Sequence, residues 1–144
     1  MPGCSWRIAP SSSSPTALCQ ALGEDSSRAD HASSRRRADT GTRWARELGA
    51  DSVIAMPPYG VRLADMEAVF DFYRAVADAA DGLPVFIQNW SGAQGTPMGA
   101  AMMVRLLKEI PNVSYSKEET TNAGHMMTAT LAGAGAACLG TMGG

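Results

Sequence analysis

The sequence predicts a parallel α/β protein, and three observations point to it. Short continuous apolar runs, Val53-Ile54-Ala55-Met56 and Val85-Phe86-Ile87, read as strands covered on both faces. Stretches between them repeat apolar residues at helical spacing. The intervals from run to run suit crossover connections and are too long for hairpins.

Residues 1–42 stand apart from the rest of the chain, with a serine run at Ser11 to Ser14, an arginine run at Arg35 to Arg37 and little apolar periodicity. Such a composition cannot offset the entropy of ordering, so this segment is expected to be disordered or unrelated to the domain at 43–144.

The domain opens on the end of a helix, Thr42 to Leu48, with Trp44 and Leu48 on one face and Gly49 as its stop. A first strand is expected at 52–56, ended by Pro57-Pro58. Leu63 to Ala80 is an amphipathic helix: Met66, Val69, Phe70, Tyr73, Val76, Ala77 and Ala80 share a face opposite Glu67, Asp71, Arg74 and Asp78.

Gly82-Leu83-Pro84 punctuates before a second strand at 85–88. Thr96 as cap and Pro97 at the first helical position predict the next helix, with Met103, Leu106, Leu107 and Ile110 inward. A third strand is expected at 113–117, where strict alternation would put Val113, Tyr115 and Lys117 on one side. A helix near Ala123 to Ala132 then leads to a fourth strand at 136–139.

Composition limits the function. The 144 residues carry a net charge of -2, without the clustered basic surface that nucleic acid or an anionic membrane requires. No apolar stretch reaches the roughly 18 residues needed to cross a bilayer, and a cytoplasmic protein is expected. Cys4, Cys19 and Cys138 lack the spacing of a zinc or redox pair, and His125 has no second ligand nearby, so no metal is expected. Gly133, Gly135 and Gly140 precede an apolar run instead of following one, which suits close packing and a turn better than a dinucleotide loop.

Lys117 carries the most chemical information. An ammonium at the end of an apolar strand is costly to bury unless paired or neutralised, and a neutral amine is what attacks a ketone to form an imine. The structural alternative is a lysine that reaches solvent or pairs with Glu118 or Glu119.

Five motifs weigh on that choice: Leu48-Gly49-Ala50-Asp51, Met56-Pro57-Pro58-Tyr59, Leu83-Pro84-Val85-Phe86-Ile87-Gln88-Asn89, Pro111-Asn112-Val113 and Lys117-Glu118-Glu119-Thr120. In order and spacing the chain resembles the dihydrodipicolinate synthase/N-acetylneuraminate lyase family of class I aldolases. The resemblance implies a (β/α)₈ barrel, of which this chain would hold strands four to seven, and a homotetrameric whole enzyme. It implies Lys117 as the residue that condenses with pyruvate or a sugar-derived 2-keto acid, with no cofactor. Gln88 would take a catalytic position, and Tyr59, Asn89 and Gly140 would bind substrate. A barrel of this kind takes about 250 residues, so the family's carboxylate-binding loop after strand two is expected to lie outside the chain.

Two departures shape the expected reaction. Gln88 stands where many members carry a proton-relaying tyrosine, and Gly60 stands where the synthases carry a second one. A carboxamide hydrogen-bonds but does not titrate near neutral pH, which favours dehydration or aldol cleavage of a sugar-derived acid over synthase chemistry. Two other readings of the chain are a non-catalytic half-barrel that works by association and an unrelated open-sheet binding domain.

Overall fold

The computed structural model describes residues 18–21, 31–58, 65–93 and 95–144. Five parallel strands lie side by side in chain order: β1 (Leu18–Ala21), β2 (Ser52–Ala55), β3 (Val85–Trp90), β4 (Val113–Glu119) and β5 (Gly140–Gly143). Helices α1 (His31–Glu47), α2 (Met66–Ala80), α3 (Ala100–Glu109) and α4 (Ala123–Ala134) occupy the four crossovers. Neighbouring helices touch, α1 on α2, α2 on α3 and α3 on α4.

The core lies between these helices and one face of the sheet. Val53, Ala55, Val85, Ile87 and Val113 meet Val69, Phe72, Tyr73 and Val76 of α2 and Met103, Leu106 and Leu107 of α3. The Tyr73 hydroxyl is enclosed there and donates to Ala55 O at 2.8 Å, so a polar tip crosses the core without an orphaned donor. Burial pushes its phenol well above the ordinary range.

Local chemistry fixes the element ends. Asp65 caps α2 by accepting from Glu67 N at 2.9 Å, and Asp81 ends it in the left-handed conformation. Gly49, at φ 79°, closes α1: its N–H donates to Arg46 O at 2.9 Å and that of Ala50 to Ala45 O at 3.0 Å. This pair of bonds is the Schellman arrangement, which needs a residue free to adopt positive φ. Gly133 lets α4 approach α3, since a Cβ there would stand 2.6 Å from a Val104 methyl.

Several expectations are corrected. The boundary at 42/43 is one: α1 begins at His31, and Leu18–Ala21 pairs with β2. Alanine and arginine are good helix formers, and the buried positions on the described part of α1 are Thr42 and Ala45, too small to leave an apolar periodicity. Trp44 and Leu48 do share a face, but it is the exposed one, at 56% and 60%.

The helix expected at Thr96-Pro97 begins at Ala100, while Thr96 is buried with its hydroxyl near Pro58 O. The expected strand at 136–139 is a tight helical turn at Gly135–Ala137 followed by β5, because Gly135 at φ 56° ends α4 and Leu139 N bonds Ser114 O. A bulge breaks the alternation of β4: Val85 pairs with Val113 and Phe86 with Tyr115, leaving Ser114 as the extra residue. Val113 therefore joins the core, while Tyr115 and Lys117 face the other side.

Candidate active site

Beyond the bulge, β4 alternates strictly. Ser116 and Glu118 are buried toward the helices, and Tyr115, Lys117 and Glu119 are half-buried on the opposite face. Register makes Gln88 of β3 the partner of Lys117, so these side chains share that face near the carboxyl ends of their strands.

Glu119 joins them. Its Oε1 is 2.7 Å from Lys117 Nζ, and its Oε2 accepts from Gln88 Nε2 at 2.6 Å. The Lys117 ammonium first, and the Gln88 amide second, hold the Glu119 carboxyl below the usual carboxylate range. An amine, a carboxylate and a carboxamide thus meet at one point. A shallow depression beside them is lined by Met56, Gln88, Trp90 and Glu119.

Gly144 closes the side toward β5: its N–H donates to Glu118 O at 3.3 Å, and a Cβ on it would stand 2.5 Å from Glu119 Oε1. One row lower, Phe86 and Tyr115 stack with ring centroids 4.5 Å apart.

Asn89 does not join this group. It is fully buried on the helix side, where its amide bonds Met98 and Glu118. Adjacent strand residues point to opposite faces, so Gln88 and Asn89 cannot both face Lys117. Gly140 is the register partner of Tyr115, one row below Lys117, and a Cβ there would lie 3.3 Å from the Tyr115 ring. It makes room for an aromatic ring and is not at the cluster. Tyr59 and Gly60 lie outside the described residues.

Sequence reasoning gives two residues too little weight. Glu119 is legible as the residue two places beyond Lys117 on the same strand, hence on its face, yet the pattern alone offers it only as an ion-pair partner. Trp90 follows Gln88 by the same interval. Among the described residues, no cluster of three or more His, Cys, Asp or Glu could hold a metal, and no helix is long and apolar enough to cross a membrane.

The sequence pattern of the dihydrodipicolinate synthetase family matches residues 32–136. Among similar proteins, L-2-keto-3-deoxyarabonate dehydratase of Azospirillum brasilense is 40% identical over 85 residues, covering 58% of this chain and 27% of that protein. The 4-hydroxy-tetrahydrodipicolinate synthase of Prosthecochloris aestuarii is 32% identical over 83 residues, with the same coverage of 58% and 27%. The chain thus spans about a quarter of the length of these relatives. In fold it is similar to the crystal structure of dihydrodipicolinate synthase from Aquifex aeolicus, with a TM-score of 0.69 at 24% identity over 76% of this chain and 36% of that one. Five adjacent parallel strands with helices along one face are consecutive staves of a (β/α)₈ barrel, one more than the four expected. The match begins at residue 32, inside the segment expected to be unrelated, and covers α1 through α4: the chain belongs to the dihydrodipicolinate synthetase family.

Proposed function

We propose that the chain carries the Schiff-base centre of a class I lyase that dehydrates or cleaves a sugar-derived 2-keto acid. The observation that carries this reading is the single carboxylate of Glu119, shared between Lys117 Nζ and Gln88 Nε2. On this reading Lys117 attacks the keto carbon, water leaves, and a protonated imine forms. The imine nitrogen keeps its positive charge beside Glu119, so the carboxylate that Lys117 and Gln88 hold ionised is in place as the proton acceptor.

Glu119 then removes a proton from the carbon beside the imine, giving an enamine. For dehydration, the enamine electrons expel the hydroxyl from the next carbon, and the proton held by Glu119 goes to that oxygen to release water. Hydrolysis of the conjugated imine frees Lys117 and the dehydrated keto acid. Gln88 keeps Glu119 oriented and does not itself carry the proton.

The name of the Azospirillum brasilense relative, a dehydratase of a deoxy sugar acid, supports dehydration. Borohydride reduction of this chain with pyruvate and with a 3-deoxy-2-keto acid tests the centre. The reading predicts a mass increase located at Lys117, abolished by Lys117→Arg. No adduct with any 2-keto acid overturns it. On the same reading the whole enzyme is a cytoplasmic homotetramer, which sedimentation velocity would check.

A second reading is association without catalysis. It draws on the exposed Leu139 and Met142 at the β5 edge and the half-buried Phe86–Tyr115 stack on the helix-free face. A stable dimer of the chain with no keto-acid adduct would favour it.

A further inference from the structure

Behind the Lys117 face sits an enclosed polar group that the proposed chemistry does not use. The Asn89 carboxamide is 0% exposed and treats Met98 as a strand neighbour would: Oδ1 accepts from Met98 N at 2.8 Å and Nδ2 donates to Met98 O at 2.9 Å. Nδ2 also donates to Glu118, with both carboxylate oxygens at 3.1 Å. Glu118 is itself 1% exposed. A buried carboxylate costs free energy, and a neutral amide compensates it only in part, so an apolar residue of that size would serve packing better.

What the pair fastens is the connection after β3. Trp90 ends that strand, and Met98 lies just before α3, so the Asn89–Met98 bonds draw the two ends of this connection together. The drawn-in backbone forms a seat for the Trp90 indole: a Cβ on Gly92 would lie 2.0 Å from the ring, and one on Gly95 would lie 2.9 Å from it. Trp90 in turn is one wall of the depression that also has Met56, Gln88 and Glu119 in its lining.

We infer that Glu118 and Asn89 are positioning residues. Glu118 orients the Asn89 carboxamide, Asn89 fastens Met98, and the fastened connection holds Trp90 as an aromatic wall against the carbon chain of the substrate. The mechanical link from Glu118 to Trp90 stands on geometry alone. That the wall meets a hydroxylated 2-keto acid rests on the proposed function.

The test uses the 144-residue chain with Trp6→Phe and Trp44→Phe, which leaves Trp90 as the only tryptophan. Acrylamide quenching reports the seating of Trp90, and borohydride trapping at Lys117 compares pyruvate with a longer 3-deoxy-2-keto acid. Glu118→Ala is expected to raise quenching about threefold and to lower trapping of the longer acid about tenfold, with pyruvate trapping within about twofold of the parent. Glu118→Gln, which keeps an acceptor oxygen for Asn89, is expected to stay within about twofold on both readouts.

Should Glu118→Ala not fold, Asn89→Asp serves: it still accepts from Met98 N but cannot donate to Met98 O or to Glu118. Its quenching is expected to rise, and the double variant Asn89→Asp/Glu118→Gln is expected to bring it back part of the way, because the new amide donates to the new carboxylate. Folded Glu118→Ala or Asn89→Asp with parental quenching overturns the inference. Absence of trapping in the parent would instead strike the proposed function, and the quenching comparison would still decide the link to Trp90.

Discussion

Lys117 and Gln88 face each other in the β3–β4 register and meet on one carboxylate oxygen each of Glu119. The relationship gives the lysine a partner on its own strand, two residues on, and gives that partner a second support from the neighbouring strand. A carboxylate is thereby held next to the amine, supported from both strands.

On the proposed function, Glu119→Gln should separate imine formation from proton transfer. The amide keeps the shape and a contact to Gln88 but cannot accept a proton. Borohydride trapping at Lys117 should persist, while turnover of a 3-deoxy-2-keto acid by the whole enzyme should fall by about 10²–10⁴-fold, the usual worth of a positioned general base. Equal loss of both would assign Glu119 to imine formation instead.

On the proposed function, a preference between reaction types would stem from Gln88. The whole enzyme should dehydrate or cleave hydroxylated 2-keto acids in preference to condensing pyruvate with aspartate semialdehyde, because a carboxamide cannot relay the protons that condensation needs. Gln88→Tyr alone should not install synthase activity, since Gly60 leaves the second relay position empty. Robust dihydrodipicolinate formation with Gln88 intact would refute this preference.

Acid should weaken the fold partly through Glu119. Its folded carboxyl titrates below the ordinary value, held there by Lys117 and Gln88, so its contribution is present above the unfolded value of about 4.3 and fades as pH falls through the folded one. Urea unfolding of the parent and of Glu119→Gln should therefore differ most at neutral pH and converge as the pH falls through the folded value. A gap that widens on acidification would contradict the assigned direction.

Tyr73→Phe removes the hydroxyl bonded to Ala55 O inside the core. The carbonyl is left without that donor, and stability should drop by about 1–2 kcal/mol in chemical denaturation, with no change in trapping at Lys117. A neutral result would mean that the carbonyl finds another donor when the ring relaxes.

Much of this fold is written in local pattern. β2 and β3 are legible as apolar runs, β4 as an alternating segment, α2 as an apolar stripe, and Gly49 as a helix stop, because burial, the two-residue period and helical spacing leave direct marks in residue order. β1 and the first part of α1 leave none, since a four-residue strand and a helix of Ser, Arg, Ala and Asp carry no apolar period in their residue order. Strict alternation puts Val113 on the wrong face of β4 because a bulge at Ser114 shifts the period by one, and no residue type there announces it. At the site, Lys117 and Gln88 emerge through resemblance, and Glu119 is within reach of the period of two. Asn89 is misleading by its neighbourhood: standing next to Gln88 in sequence puts it on the far side of the sheet.

The alternation at the end of β4 has a consequence for how the site could change over time. Lys117 and Glu119 look into the open face, while Ser116 and Glu118 look into the scaffold, so chemistry and architecture are interleaved residue by residue along one short segment. Odd positions can be redrawn to alter what is bound or which proton moves while leaving the helices undisturbed, and even positions govern whether the strand stays where the chemistry needs it. Diversification of reactions on such a strand is therefore a matter of single substitutions at every second residue, and an insertion or deletion of one residue would exchange the two sets at a stroke.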